Sequence, residues 1–207
     1  MCYNTFVEKR DDYMYSLLID THNLNLLFVL YKDGKTLDVN LKESERHHSD
    51  FAMPMLKELL DRNNINVHDL NEILVVNGPG SFTGVRIGVT IAKTLAYTLN
   101  IPIKTISSLA IKAISVDEDV KVPVINDLKG VFSGIYDKDN NLIDEMFYLP
   151  NDAFKDYLKE HDYEDKVIDE VKYDYDKIYA YSKTIESENA HGVKPIYIKQ
   201  IEAEKHD

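Results

Sequence analysis

From residue 14 onward, apolar and polar positions follow a legible order. Tyr15–Asp20, Leu24–Tyr31 and Lys35–Leu41 are rich in Leu, Ile, Val and Tyr and read as three strands. Asp33-Gly34 is a two-residue hairpin signal between the second and third. Ser49 to Arg62 reads as a helix, with Pro54 expected to kink it or to mark its first turn. Ile73–Val76 is short and wholly apolar, as expected of a strand covered on both faces. Thr83 to Leu99 is a long helix that Asn100 and Pro102 close. Ile103–Ile106 is a further buried strand, and Ser107-Ser108 caps a helix over Leu109–Ser115. Three strands followed by alternating helices and strands predict an α/β fold, a mixed sheet flanked by helices. Beyond residue 110, Val122–Ile125, Val131–Tyr136, Asn141–Tyr148 and Ile196–Ile198 read as strands and Asp152–Glu160 as a helix. That is a smaller version of the same layout.

Charge divides the chain in two. Of 24 basic and 36 acidic residues, residues 1–109 hold 11 and 13, and residues 110–207 hold 13 and 23. Nine of the 14 tyrosines also lie in the second part, while four of the eight glycines fall within residues 78–88. The shift predicts a boundary near residue 110: an extension over 1–13 without periodicity, a first lobe over 14–109, and an acidic second lobe over 110–207. A net charge of −12 argues against a chain that grips phosphate backbones unaided. A single cysteine, Cys2, excludes an internal disulfide and fits a reducing cytoplasm. No run of 18 apolar residues offers a membrane span, and the first residues lack the apolar stretch of a signal peptide.

Chemistry concentrates in Asn77–Gly88, NGPGSFTGVRIG, which follows a buried strand and opens a helix. Free backbone N–H groups and the helix dipole make such turns good anion sites. The spacing nevertheless misses the standard templates. Thr83 stands where a dinucleotide loop needs glycine, and Val85 stands where a Walker loop needs lysine. Pro79 and Thr83 likewise replace the glycines of a nucleophile elbow. The bland alternative is a tight strand-to-helix turn capped by Ser81 or Thr83. Asp20-Thr21 ends the first strand, a place where a carboxylate and a hydroxyl can hold a metal-bound phosphate. The following His22-Asn23-Leu24-Asn25 lacks glycine, which favours a plain turn. The seven histidines show no i, i+4 pair, so spacing supplies no metal site.

Two helices carry apolar surface beyond a single stripe. Phe51, Ala52, Met53, Met55, Leu56, Leu59 and Leu60 cover more than the usual sector of the first. On the second, Gly84, Gly88, Ala92 and Ala96 recur every four residues, beside Val85 and Val89, opposite a polar face of Arg86, Thr90, Lys93 and Tyr97. Such a small-residue stripe admits another backbone at close range. The neighbour is either the chain's own sheet or a helix of another protein. If it is a partner, Val89→Arg or Gly88→Leu should break the complex and leave the monomer folded.

With these residues in hand, the chain resembles the TsaB (YeaZ) family. The signature loop Gly78, Pro79, Gly80, Ser81, Phe82, Thr83, Gly84, Val85, Arg86, Ile87, Gly88 carries the resemblance. Asp20-Thr21, His48-Ser49 with Pro54 and Leu59-Leu60, Ile101-Pro102 and Ile106-Ser107-Ser108-Leu109 support it, and Val120–Tyr136 and Pro195-Ile196-Tyr197 extend it. It implies an actin-like ATPase (RNase H-like) fold of two lobes with the second reduced. It also implies a non-catalytic subunit that binds and activates a TsaD-type enzyme, which makes threonylcarbamoyladenosine beside the tRNA anticodon. On this likeness the two helices form the partner interface, with a homodimer through the same helices as an alternative, and a TsaE-type ATPase joins the pair. Asp20 and Thr21 are then a vestigial nucleotide loop. ATP and a metal ion are expected on the partner subunits and no cofactor on this chain, and tRNA is met only through the complex. The runner-up is a nucleotide-dependent transferase in its own right, using Asp20 and the Gly78–Gly84 loop. A metallopeptidase reading finds no paired histidines.

Three features depart from the family pattern: the thirteen leading residues, the missing acidic residue just before the Val131-Phe132 pair in Ile125–Phe132, and a second lobe that is shorter than usual and strongly acidic.

Overall fold

The computed structural model describes residues 13–43 and 48–198. Of the leading extension set apart above, all but Tyr13 lies outside the described residues. The first sheet holds β1 (Tyr15–Asp20), β2 (Asn25–Lys32), β3 (Lys35–Glu43), β4 (Leu70–Val76) and β5 (Ile103–Ile106), in the order β3-β2-β1-β4-β5. β1, β2 and β3 pair antiparallel, whereas β4 pairs parallel with β1 and β5 parallel with β4. At the hairpin Asp33 and Gly34 both take positive φ, 49° and 83°, as the two-residue turn requires.

Strand alternation sorts the core into two layers. Leu17, Ile19, Phe28, Leu30, Ile73 and Val75 face α1 (His48–Arg62) and α2 (Phe82–Leu99), meeting Leu56, Leu59, Val85 and Val89. Leu18, Val29, Tyr31, Leu74 and Val76 face the other way, onto α3 (Ser108–Ile114), with Leu109, Ile111 and Ile114. Both faces of the central strands are covered, which explains why they read as continuous apolar runs. α1 runs unbroken past Pro54. Pro54 and Asp50, whose carbonyl loses its helical donor there, are both exposed, where solvent can replace the bond.

The second sheet runs β10-β6-β7-β9, built from β6 (Val120–Asn126), β7 (Gly130–Ser133), β9 (Phe147–Pro150) and β10 (Val167–Ile168), with β8 (Tyr136–Asp137) paired to β6. Its core is small: Val122, Val124, Val131, Ile135, and Phe154 and Leu158 from α4 (Asn151–Glu160). Here the sequence reading needs correction. The strand expected over Val131–Tyr136 is split at Gly134, and β8 pairs at the other end of β6. The strand expected from Asn141 begins only at Phe147. The Asp137 carboxylate accepts the N–H groups of Asp139 and Asn141 and holds that stretch as a turn.

The C-terminal part returns to the first lobe. α5 (Tyr175–Ser182), which the sequence did not suggest, is capped by Asp174 and packs Ile178 and Tyr179 beside α3. Residues 183–198 then run back over the first lobe as a strap. Glu188 bridges to Ile103, Val193 is buried in the α1/α2 layer, and Lys93 Nζ donates to the carbonyls of His191 and Val193. No closing strand forms at Ile196–Ile198; Ile196 N–H instead donates to the Asn77 carbonyl at 2.7 Å. A boundary at residues 109/110 runs through α3, and α5 and the strap pack on the first lobe.

Candidate functional site

The loop from Asn77 to Ser81 crosses from β4 to α2 with Gly78 and Gly80 at φ 100° and 154°. Ser81 caps α2, its Oγ accepting the Gly84 N–H at 3.2 Å. Three hydrogen bonds hold the loop from two sides. Ser108 N–H donates to the Gly78 carbonyl at 2.9 Å, Ser108 Oγ donates to the Pro79 carbonyl, and Ser81 N–H donates to the His22 carbonyl at 2.7 Å.

The glycines are explained by what lies against them. A Cβ on Gly80 would fall 2.3 Å from the His22 carbonyl oxygen, and one on Gly84 would fall 2.1 Å from that of Thr21. At Gly88 it would fall 2.4 Å from Thr21 Oγ1. That hydroxyl donates to the Gly84 carbonyl at 2.7 Å and accepts the Gly88 N–H at 3.1 Å, inserting itself into the first turns of the helix. The close neighbour of the small-residue stripe is therefore the end of β1.

Asp20 is buried, and its Oδ1 accepts both His22 N–H at 3.0 Å and His22 Nδ1 at 2.6 Å. Asp20 Oδ1 and the Thr21 hydroxyl are thus occupied internally, Ser81 N–H is already bonded, and the glycines leave no gap between loop and strand, although Asp20 also borders a separate cavity of about 650 Å³. These residues do not fit a phosphate or its metal ion, so the nucleotide-dependent reading of Asp20 and the Gly78–Gly84 loop finds no support in the geometry. Among the described residues no group of three or more His, Cys, Asp or Glu converges as a metal site.

The expected partner-interface residues are placed differently from the sequence reading. Ala52, Met55, Leu56, Leu59, Leu60, Val85, Val89, Ala92 and Ala96 belong to the chain's own core, and Gly84 and Gly88 are buried with them. Only Phe51 and Met53, the latter 51% exposed, reach the surface. The expectation that Val89→Arg or Gly88→Leu would spare the monomer is corrected accordingly: Val89 is 4% exposed, and Gly88 is closed by Thr21. Periodicity assigned the core faces of both helices outward.

What those helices leave outward is a shallow groove of about 420 Å³ between them, bordered by Met53, Phe82, Arg86, Ile87, Thr90 and Ile91. Its rim is organised by the strap. The Arg86 guanidinium lies 3.6 Å over the Phe82 ring and donates through Nε to Tyr197 Oη at 2.9 Å. Phe82 and Tyr197 pack with centroids 5.8 Å apart. Phe82, Thr83 and Arg86 of the signature loop are thus exposed, while Gly78, Pro79, Gly80 and Ser81 anchor it.

The family model of the TsaD tRNA N6-adenosine threonylcarbamoyltransferase matches residues 39–128. The tRNA threonylcarbamoyladenosine biosynthesis protein TsaB of Bacillus subtilis is 36% identical over 146 residues, 69% of this chain and 64% of that protein. The chain is similar to the TsaB (YeaZ) family. It spans a little under two thirds of the length of that TsaB. The TsaB of Buchnera aphidicola from Acyrthosiphon pisum is 29% identical over 76% of this chain and 71% of its own. YeaZ of Pseudomonas aeruginosa superposes with a TM-score of 0.73 at 21% identity, covering 88% of this chain and all of that structure. The TsaB fold, an actin-like ATPase fold with two mixed sheets and a reduced second lobe, is accordingly the fold of this chain.

Proposed function

We propose that this chain is the non-catalytic subunit that binds and activates a TsaD-type enzyme, which transfers a threonylcarbamoyl group to the adenosine beside the tRNA anticodon. The observation that carries this reading is the 36% identity to a protein named for threonylcarbamoyladenosine biosynthesis. The groove between α1 and α2 supports it, because it pairs apolar side chains with the exposed Arg86, the composition of protein-binding patches. The internal bonds of Asp20 and Thr21 favour an accessory role over catalysis by this chain, with ATP and a metal ion supplied by partner subunits. A TsaE-type ATPase joins the assembly, and a homodimer through the same groove competes with it. The site of action is the cytoplasm; no helix among the described residues is long and apolar enough to cross a membrane.

The test is size exclusion with light scattering on the chain alone and mixed with the TsaD-type protein of the same organism. A new species at the heterodimer mass supports the reading. Two unchanged peaks, with no rise in the enzyme's transfer activity on addition of the chain, would remove it.

A further inference from the structure

Two arginines lie among the described residues, and they are held in opposite ways. Arg62 makes the usual pair, its Nε and Nη2 donating to the Asp38 carboxylate at 2.6 and 2.9 Å. Arg86, exposed on the rim of the groove between α1 and α2, has no carboxylate among the described residues. Its guanidinium lies 3.6 Å from the centre of the Phe82 ring and 5.7 Å from that of Tyr197, and its Nε donates to Tyr197 Oη at 2.9 Å. The N–H groups of Nη1 and Nη2 are left for another acceptor. Tyr197 is itself placed by the strap, 111 residues further along the chain. Ile196 N–H donates to the Asn77 carbonyl at 2.7 Å, Asn77 Nδ2 donates to the Lys194 carbonyl at 3.3 Å, and Val193 is buried in the layer beneath α1 and α2.

We infer, on the docking role proposed above, that Tyr197 is a positioning residue: it presets Arg86 so that Nη1 and Nη2 take a carboxylate of the TsaD-type partner. An arginine loses much rotamer freedom on pairing, and one already held by a hydroxyl and two rings has lost it before the partner arrives. Met53, Ile87 and Ile91 beside it exclude water once the groove is covered, which strengthens a charge-assisted bond. A chain of net charge −12 repels acidic surfaces at long range, so a single preset cation serves register and specificity, not encounter. The strap is thereby part of the docking surface, although it belongs to neither helix.

The experiment is a double-mutant cycle on the whole chain, with affinity for the TsaD-type protein measured by calorimetry and the mass of each species by light scattering. Both side chains are exposed, so the variants should fold, which circular dichroism checks. Arg86→Ala should weaken the complex about thirtyfold, as hot-spot arginines do. Tyr197→Phe keeps the ring against Phe82 and loses only the hydroxyl. It should weaken the complex about fivefold in the wild-type background and less than about twofold in Arg86→Ala. In the free chain, the Arg86 Nε–H should exchange with water faster in Tyr197→Phe than in the wild type. Wild-type binding that Arg86→Ala leaves unchanged overturns the inference and spares the docking role. An equal loss from Tyr197→Phe in both backgrounds does the same, because the hydroxyl would then only hold the strap. If Arg86→Ala instead dissociates a dimer of this chain and leaves the heterodimer intact, the rim belongs to a second copy and the inference falls. A wild-type chain that ignores the TsaD-type protein removes the docking role and the inference together.

Discussion

At Gly88 the absent side chain leaves room for the Thr21 hydroxyl, which takes both the Gly84 carbonyl and the Gly88 N–H. Gly88→Ala should therefore destabilise by about 2 kcal/mol through overpacking, although alanine is the better helix former by about 1 kcal/mol. In a Thr21→Ala background the same change should cost much less, because the atom it strikes is gone. A double-mutant cycle by urea unfolding measures this, and equal costs in both backgrounds would show that Thr21 is not the obstacle. Glu72 gives a second expectation at this scale. Burial by itself would raise its carboxyl, but hydrogen bonds and charge from Lys183 and Lys104 bring it below the ordinary value of 4.5. A carboxyl depressed in the folded state contributes stability that is fully present above 4.5 and lost as pH falls through the lower folded value. Glu72→Gln should cost about 3 kcal/mol at neutral pH by leaving the largely buried Lys104 without its carboxylate. It should also flatten the acid limb of the stability curve below pH 4.5, which thermal melts from pH 3 to 7 would reveal. An unchanged acid limb would mean that other carboxylates govern acid unfolding.

Between elements, the contrast that matters is inward against outward on α1 and α2. Met53→Arg changes a half-exposed groove residue and should leave the melting temperature within a degree or two, while weakening the TsaD-type partner by about thirtyfold if Met53 is a hot spot. Val89→Arg places a guanidinium in the sealed layer between α2 and the sheet and should prevent folding outright. Circular dichroism and partner titration on the two variants separate these outcomes; a folded Val89→Arg protein would contradict the assigned faces. The sequence made both helices legible because their apolar positions are dense, but density cannot say which of two apolar faces meets the sheet. Only the depth of the Thr21 contact decides that, and it joins residues far apart in the chain. β1, β5 and the Asp33-Gly34 turn were readable for local reasons, strand patterning and turn chemistry. α5 was not, because tyrosines at 175, 179 and 181 are poor helix signals and the helix owes its existence to Ile178 and Tyr179 packing beside α3. The same holds for Arg86: its place in the signature loop was visible, but its bond to Tyr197 arises only when the strap returns over the first lobe.

For the molecule as a whole, charge decides how tRNA can be met. The chain carries −12, with most of the excess acid beyond residue 110, and several of its cations are already committed within the fold. Lys104 and Lys183 hold Glu72, Arg62 holds Asp38, and Lys112 holds the Val124 and Asp169 carbonyls. Nucleic-acid affinity rises with the number of phosphates neutralised by clustered Lys and Arg, and a surface of opposite bias repels the backbone over about a Debye length. The isolated chain should therefore give no tRNA shift at about 10 µM protein in about 0.1 M salt, where nonspecific basic binders already associate. On the proposed role, adding it to the TsaD-type enzyme should leave the salt dependence of tRNA binding unchanged while still raising the transfer rate, because a chain of net charge −12 is poorly suited to phosphate contacts. A steeper salt slope on its addition would show that it contributes phosphate contacts of its own. The subunit would then have to be placed against the tRNA instead of behind the enzyme that holds it.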